Sequence, residues 1–282
     1  MGACDRPLAR APAIAGAVGG EMPQAERSHT VSRMKIILSP AKRLDEGEHP
    51  VEASTTPRFP DDTAELVDIA RDLDVADLTD LMSISEDLAI LNVERFRAFA
   101  DAPTHPAMFL FAGDTYRGLD PTTMDDEAVA RAQESVRILS GLYGILRPLD
   151  AIRPYRLEMG TKLETPRGDT LYDFWGTQVG ESLRDELGED EVIVNGASKE
   201  YVTVLHADEL DLPMVEVRFE NLRNDKWRVF GMLAKVARGA LARWITEHDP
   251  DTLEDLYEFD SLGYRILPER SDDRHLVFRS CD

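Results

Sequence analysis

The sequence predicts an α+β protein in which residues 34–282 form a single compact mixed α/β domain. Three observations carry that expectation. Short apolar runs alternate with stretches of helical period from residue 34 onward. No internal repeat, low-complexity core segment or linker-like composition divides them. A chain of 282 residues with 43% hydrophobic content can bury one large core.

The elements follow in order. Met34-Lys-Ile-Ile-Leu-Ser-Pro is a first strand, over 34–38, with a turn through Ser39 to Arg43. A Ser and a Lys leaving a strand end are well placed for an anion. Residues 45–60 are a loop rich in Pro and Gly. The helical period then predicts helices over 61–73, 77–82 and 85–99. Between the last two, Ser83-Ile-Ser-Glu-Asp-Leu-Ala89 has the spacing of a helix-hairpin-helix element, with Ser in place of both glycines; Ser85 is equally an ordinary N-cap. Residues 107–111 are expected as a strand, 126–135 as a helix and 136–140 as a strand. The segment from Ser140 to Glu164 is dense in Gly, Pro, Arg and Tyr, which predicts a tightly defined path suited to a planar or phosphorylated ligand.

A helix over 171–187, with Asp173 as its cap, precedes a strand at 191–194. Asn195 and Ser198 leave the end of that strand, again a position for a site. A hairpin is expected across residues 221–225, between strands at 215–219 and 227–230. Residues 230–245 carry Met232, Leu233, Val236, Ala237, Ala240, Leu241, Trp244 and Ile245 at helical spacing toward a core. Strands over 263–267 and 275–279 close the chain. Residues 1–33 have no helical or strand period and are expected to be a disordered extension or a mis-assigned start, with Met34 the natural first residue.

Charge sets the functional limits. Acids outnumber bases 54 to 32, a formal net charge of −22. That balance excludes loose, whole-surface attachment to DNA or anionic membrane, so any nucleic-acid contact has to come from a local patch. One such reversal exists. From Lys226 to Arg243 the chain carries five bases and no acid. Lys235 and Arg238 are three apart on a predicted helix and share a face, which Arg243 continues; an anion is expected there. The bland alternative is a core helix with solvated bases.

No apolar run is long enough to span a bilayer. Cys4 and Cys281 stand at the two ends without a Cys-x-x-Cys, so a cytoplasmic setting is expected. The six histidines lack metal spacing, and no metal site or cofactor is expected. Walker, dinucleotide and nucleophile-elbow motifs are missing from the sequence.

Several motifs, taken together and in order, resemble the YaaA peroxide-stress-resistance family. They are Ile37-Leu-Ser-Pro-Ala-Lys42, Leu81-Met-x-Ile-Ser85, Gly113-Asp-x-Tyr-x-Gly-Leu119, Leu139-Ser-Gly-Leu-Tyr-Gly144 and Leu146-Arg-Pro-Leu-Asp150. Pro154-Tyr-Arg-Leu-Glu-Met-Gly160, Leu171-Tyr-x-Phe-Trp175, Ala197-Ser-x-Glu-Tyr201 and Ala237-Arg-Gly239 complete the set. The resemblance implies a cytoplasmic bacterial protein that helps cells survive hydrogen peroxide by limiting unincorporated iron. It also implies a positively charged cleft, a helix-hairpin-helix-like element and DNA as partner. Lys42, Arg156, Glu158, Lys235 and Arg238 match family motif positions, while Val236 stands where the family pattern has a second lysine.

The expected nucleic-acid contacts are therefore Lys42, Arg43, Arg147, Arg156, Lys162, Lys199, Lys235, Arg238 and Arg243. The remaining cleft residues are expected to be Ser39, Asp114, Tyr116, Tyr143, Tyr155, Glu158, Asn195 and Ser198. An enzyme acting on a small anionic or nucleotide-like ligand in the same cleft is the alternative, because those polar groups exceed what phosphate binding needs.

Overall fold

A five-stranded parallel core, extended by antiparallel strands, organises the computed structural model, which describes residues 34–280. The expected extension at 1–33 lies outside the described residues, as do Cys4 and Cys281. The chain enters through β1 (Met34–Leu38), buried along its whole length. After a loop it forms α1 (Pro60–Arg71), α2 (Val75–Met82) and α3 (Glu86–Arg97). Asp74 and Asp77 cap α2 reciprocally and Ser85 caps α3, while Ser83 takes a left-handed φ of 50° and stops α2. β2 (His105–Pro106), α4 (Ala107–Leu110), α5 (Asp114–Leu119) and α6 (Asp126–Ser135) follow. β3 (Val136–Ser140) turns antiparallel into β4 (Gly144–Leu146), and β5 (Ala151–Ile152) pairs with β2. Next come α7 (Leu171–Trp175), α8 (Gln178–Arg184), β6 (Val192–Asn195) and α9 (Lys199–Val202). The hairpin of β7 (Met214–Arg223) and β8 (Lys226–Arg228) leads into α10 (Gly231–His248), and β9 (Arg265–Ile266) and β10 (His275–Ser280) finish the sheet.

The strand order is β4-β3-β1-β6-β7-β10-β9, with β8 joined to β7. β3, β1, β6, β7 and β10 run parallel. The chain goes from β1 outward to β3, returns past β1 to β6, and continues the other way to β7 and β10. Its direction of winding therefore reverses between β1 and β6. In an open α/β sheet the connections part at such a point and leave a crevice at the carboxyl ends of the two strands.

Four expectations are corrected. Residues 107–111 are not a strand: α4 forms there, wholly buried, with its first amides donated to the Asp150 and Pro148 carbonyls. A short buried apolar run carries no period to separate the two states, and the tertiary partner decides. The helix expected over 171–187 breaks at Gly176, whose φ is +49°, into α7 and α8. Its cap is Thr170, whose hydroxyl accepts from the Asp173 amide. Met232 is 60% exposed, so the first turn of α10 does not face the core. The close contact of α10 with α5 comes later, where glycine is needed on both sides. A Cβ on Gly239 would lie 1.8 Å from the Thr115 carbonyl oxygen, and one on Gly118 1.9 Å from that of Val236.

Candidate anion-binding cleft

The crevice at the switch point holds a cleft of about 460 Å³. The turn leaving β1 supplies Ser39, Lys42 and Arg43, and the turn leaving β6 supplies Gly196 and Ser198. Tyr155, Arg156 and Glu158 come from the segment after β5, Asp114 and Tyr116 from α5, and Lys235 and Arg238 from α10. The two strand-end turns are tied together. Ser39 Oγ accepts from the Ser198 amide at 2.9 Å and lies 3.4 Å from Ser198 Oγ. Tyr116 donates its hydroxyl to the Ser39 carbonyl at 3.1 Å. The close approach of α5 and α10 at Gly118 and Gly239 brings Tyr116 and Arg238 to the same opening.

Five bases and three acids line the cleft. The acids are all engaged. Glu158 lies between Lys42, at 2.8 Å, and Arg156, at 3.1 Å. Asp114 pairs with Arg117 at 3.0 Å, and Glu200 accepts from the Gly160 amide at 3.0 Å. Lys235 and Arg238 differ: among the described residues neither has an ion pair or a hydrogen bond. The Nε–H groups of Arg156 and Arg238 are both buried without an acceptor. Desolvation by burial lowers the pKa of the Arg238 guanidinium, opposed by the Glu216 carboxylate. Asn195 anchors that carboxylate through Nδ2 at 2.8 Å and accepts from the Ala197 amide at 2.9 Å, so it acts from behind the cleft wall.

Burial pushes the phenols of Tyr116, Tyr155 and Tyr201 far up, so each is a neutral hydrogen-bonding group at physiological pH. Tyr155 Oη and Ser140 Oγ are hydrogen-bonded at 2.6 Å. Tyr143 stacks edge-on behind Tyr155 and accepts from the Arg153 amide.

The structure thus brings together the expected residues Ser39, Lys42, Arg43, Asp114, Tyr116 and Tyr155, with Arg156, Glu158, Ser198, Lys235 and Arg238. The other expected residues stand apart from the lining. Arg147 is bound to Asp150 at 3.2 Å. Arg243 bonds the Asp120 carbonyl at 2.9 Å, Thr123 Oγ1 at 2.6 Å and Glu247 at 2.7 Å. Lys162 and Lys199 are exposed elsewhere, and Tyr143 and Asn195 are buried behind the wall. Glu200 and Tyr201 also line the cleft. Both belong to Ala197-Ser-x-Glu-Tyr201, which carried the signal without a role being read from it. α2 and α3 pack as a helix pair across the Ser83–Ser85 turn; neither contributes to the cleft, and Glu86 and Asp87 occupy the first turn of α3.

Among the described residues, no group of three or more His, Cys, Asp or Glu side chains is placed to hold a metal ion. No helix among them is long and apolar enough to cross a membrane.

A mixed sheet with five parallel strands, and a cleft lined by five bases and three acids at its strand ends, defines the class: a single-domain mixed α/β protein. Residues 34–270 match the family model described as peroxide stress protein YaaA, and the chain belongs to that family. A UPF0246 protein of Phenylobacterium zucineum is 48% identical over 250 residues, covering 87% of this chain and 94% of its own length. Similar proteins of Dinoroseobacter shibae and Idiomarina loihiensis are 45% and 43% identical, over 87% of this chain and 94% and 98% of theirs. Membership supports a role in peroxide stress.

Proposed function

We propose that the protein is a cytoplasmic peroxide-stress protein that binds DNA phosphates through the switch-point cleft, limiting oxidative DNA damage and helping to keep unincorporated iron low. The observation that carries this reading is the pair Lys235 and Arg238. In a chain of net charge −22 they stand in a cleft with no carboxylate partner of their own. Each basic contact to a phosphate releases condensed counterions, so binding should weaken steeply with salt.

The test is fluorescence anisotropy of a labelled oligonucleotide with the full chain across salt concentrations, beside a Lys235→Ala/Arg238→Ala variant. Binding that falls with salt and is lost in the variant supports the reading. No binding at low salt overturns it.

The cleft's own dimensions favour a second reading. A volume of about 460 Å³ at the ends of parallel strands is that of a small-ligand pocket. An enzyme acting on a small anionic or nucleotide-like substrate would use the same bases with Ser39, Ser198 and Tyr116 as orienting groups. Thermal shifts with nucleotides and phosphorylated metabolites, followed by product analysis, would separate a substrate from a bound ligand.

A further inference from the structure

We infer that the group taken into the cleft is a phosphomonoester: the terminal phosphate of a nucleotide, free or at the end of a nucleic-acid strand. The inference rests on the reading of the cleft as a phosphate site and narrows it. Three features converge.

The first is space. A cleft of about 460 Å³ is the size of one nucleotide and too small to enclose a duplex, which favours a projecting strand end over an internal phosphate.

The second is charge. Five bases face three acids, which leaves two positive charges to be met. A terminal phosphate carries about −1.5 to −2 at neutral pH, whereas an internal phosphodiester carries about −1. Glu158 already neutralises part of Lys42 and Arg156, so the surplus falls on Arg43, Lys235 and Arg238.

The third is the count of donors without acceptors. Arg156 Nε and Arg238 Nε are two buried donors without acceptors, and the exposed Lys235 ammonium lines the same cleft. A buried donor left without an acceptor is costly, and a ligand that satisfies it recovers that cost. A phosphomonoester presents three non-bridging oxygens and a diester two. Arginine's planar fork suits such oxygens. A neutral phenol stands on the same lining, since Tyr201 keeps its proton.

The experiment compares single strands of one sequence bearing a 5′-phosphate, a 3′-phosphate or hydroxyls at both ends. A nucleoside monophosphate and its parent nucleoside serve as competitors against the full chain. A phosphorylated end should bind about tenfold tighter than a hydroxyl end, in line with one added set of charge-assisted bonds. Arg238→Met should abolish that ratio, and Arg156→Met should reduce it. Arg238→Lys, which keeps the charge and loses the fork, should fall between wild type and Arg238→Met. Melting temperatures of the variants show whether each is folded, and the wild-type ratio stands whatever they show. Competition by the monophosphate, with no gain from a phosphorylated strand end, identifies the free nucleotide as the source and supports the shared chemistry. Equal, salt-sensitive binding of all three strands, with no competition by the monophosphate, overturns the inference and leaves DNA binding standing. Binding of the monophosphate with no strand bound does the reverse. Failure of every ligand overturns both.

Discussion

Two arginine clusters flank this sheet, and they use the same side chain in opposite ways. At one, Arg137 is 5% exposed and spends its guanidinium on Glu186 Oε2, at 2.7 and 2.5 Å, and on the Val136 and Gln133 carbonyls. Arg58 takes the other Glu186 oxygen at 2.6 Å and the Ser182 carbonyl at 2.9 Å. Arg147 is held by Asp150 and the Thr56 carbonyl. The void among them is only about 10 Å³. At the other cluster, Arg156 has one carboxylate contact and Arg238 has none, beside a void of about 460 Å³. The filled forks hold the fold together, and the unfilled ones border open space. Partner accounting separates the two roles where charge alone cannot.

A large expected effect lies in the filled cluster. Arg137→Met leaves the half-buried Glu186 carboxylate with Arg58 alone and should cost about 2 kcal/mol of stability. Urea unfolding measures it, and anion binding of the folded fraction should be unchanged. A loss of binding without a loss of stability would erase the contrast.

Gly239→Ala tests the joint that delivers Arg238. The new methyl would meet the Thr115 carbonyl, so α5 and α10 must part, costing about 2 kcal/mol. Here stability and phosphate binding should fall together, and a variant with wild-type binding would show that the helix contact does not position Arg238.

The smallest effect concerns pH, away from both clusters. His105 is buried against His49, with ring centres 5.3 Å apart. Desolvation, then His49, holds its pKa below the ordinary 6.5, against the pull of Glu46 and Asp45. The unfolded chain therefore takes up a proton near pH 6.5 that the folded chain resists. Stability should be level above that pH and decline below it, and the decline should be shallower in His105→Phe. An equal decline in both proteins would remove His105 as its cause.

Much of this was legible in the residues. The apolar runs at 34–38 and 136–140 and the helical period of 126–135 are readable, and the structure has them at β1, β3 and α6. Ser39, Lys42 and Ser198 follow strand ends, and a strand end is where an open α/β sheet keeps its crevice. What could not be read was long-range. Residues 107–111 form a helical turn because Asp150 and Pro148 accept its amides, and nothing local announces that. Arg147 and Arg243 look like Arg156 and Arg238 along the chain, but Asp150 takes the first and Asp120, Thr123 and Glu247 the second. Glu216, three residues into β7 and opposite Asn195 in register, gave no sign in the sequence that it would act on Arg238.

The most direct test of the central claim sets Arg238→Met beside Arg243→Met in the same salt titration of oligonucleotide binding. Both remove one positive charge from α10, but only Arg238 lacks a partner. Weaker binding and a salt slope smaller by about one are expected for Arg238→Met, with Arg243→Met retaining the wild-type slope. A wild-type slope for Arg238→Met, or an equal loss in both variants, would contradict that claim.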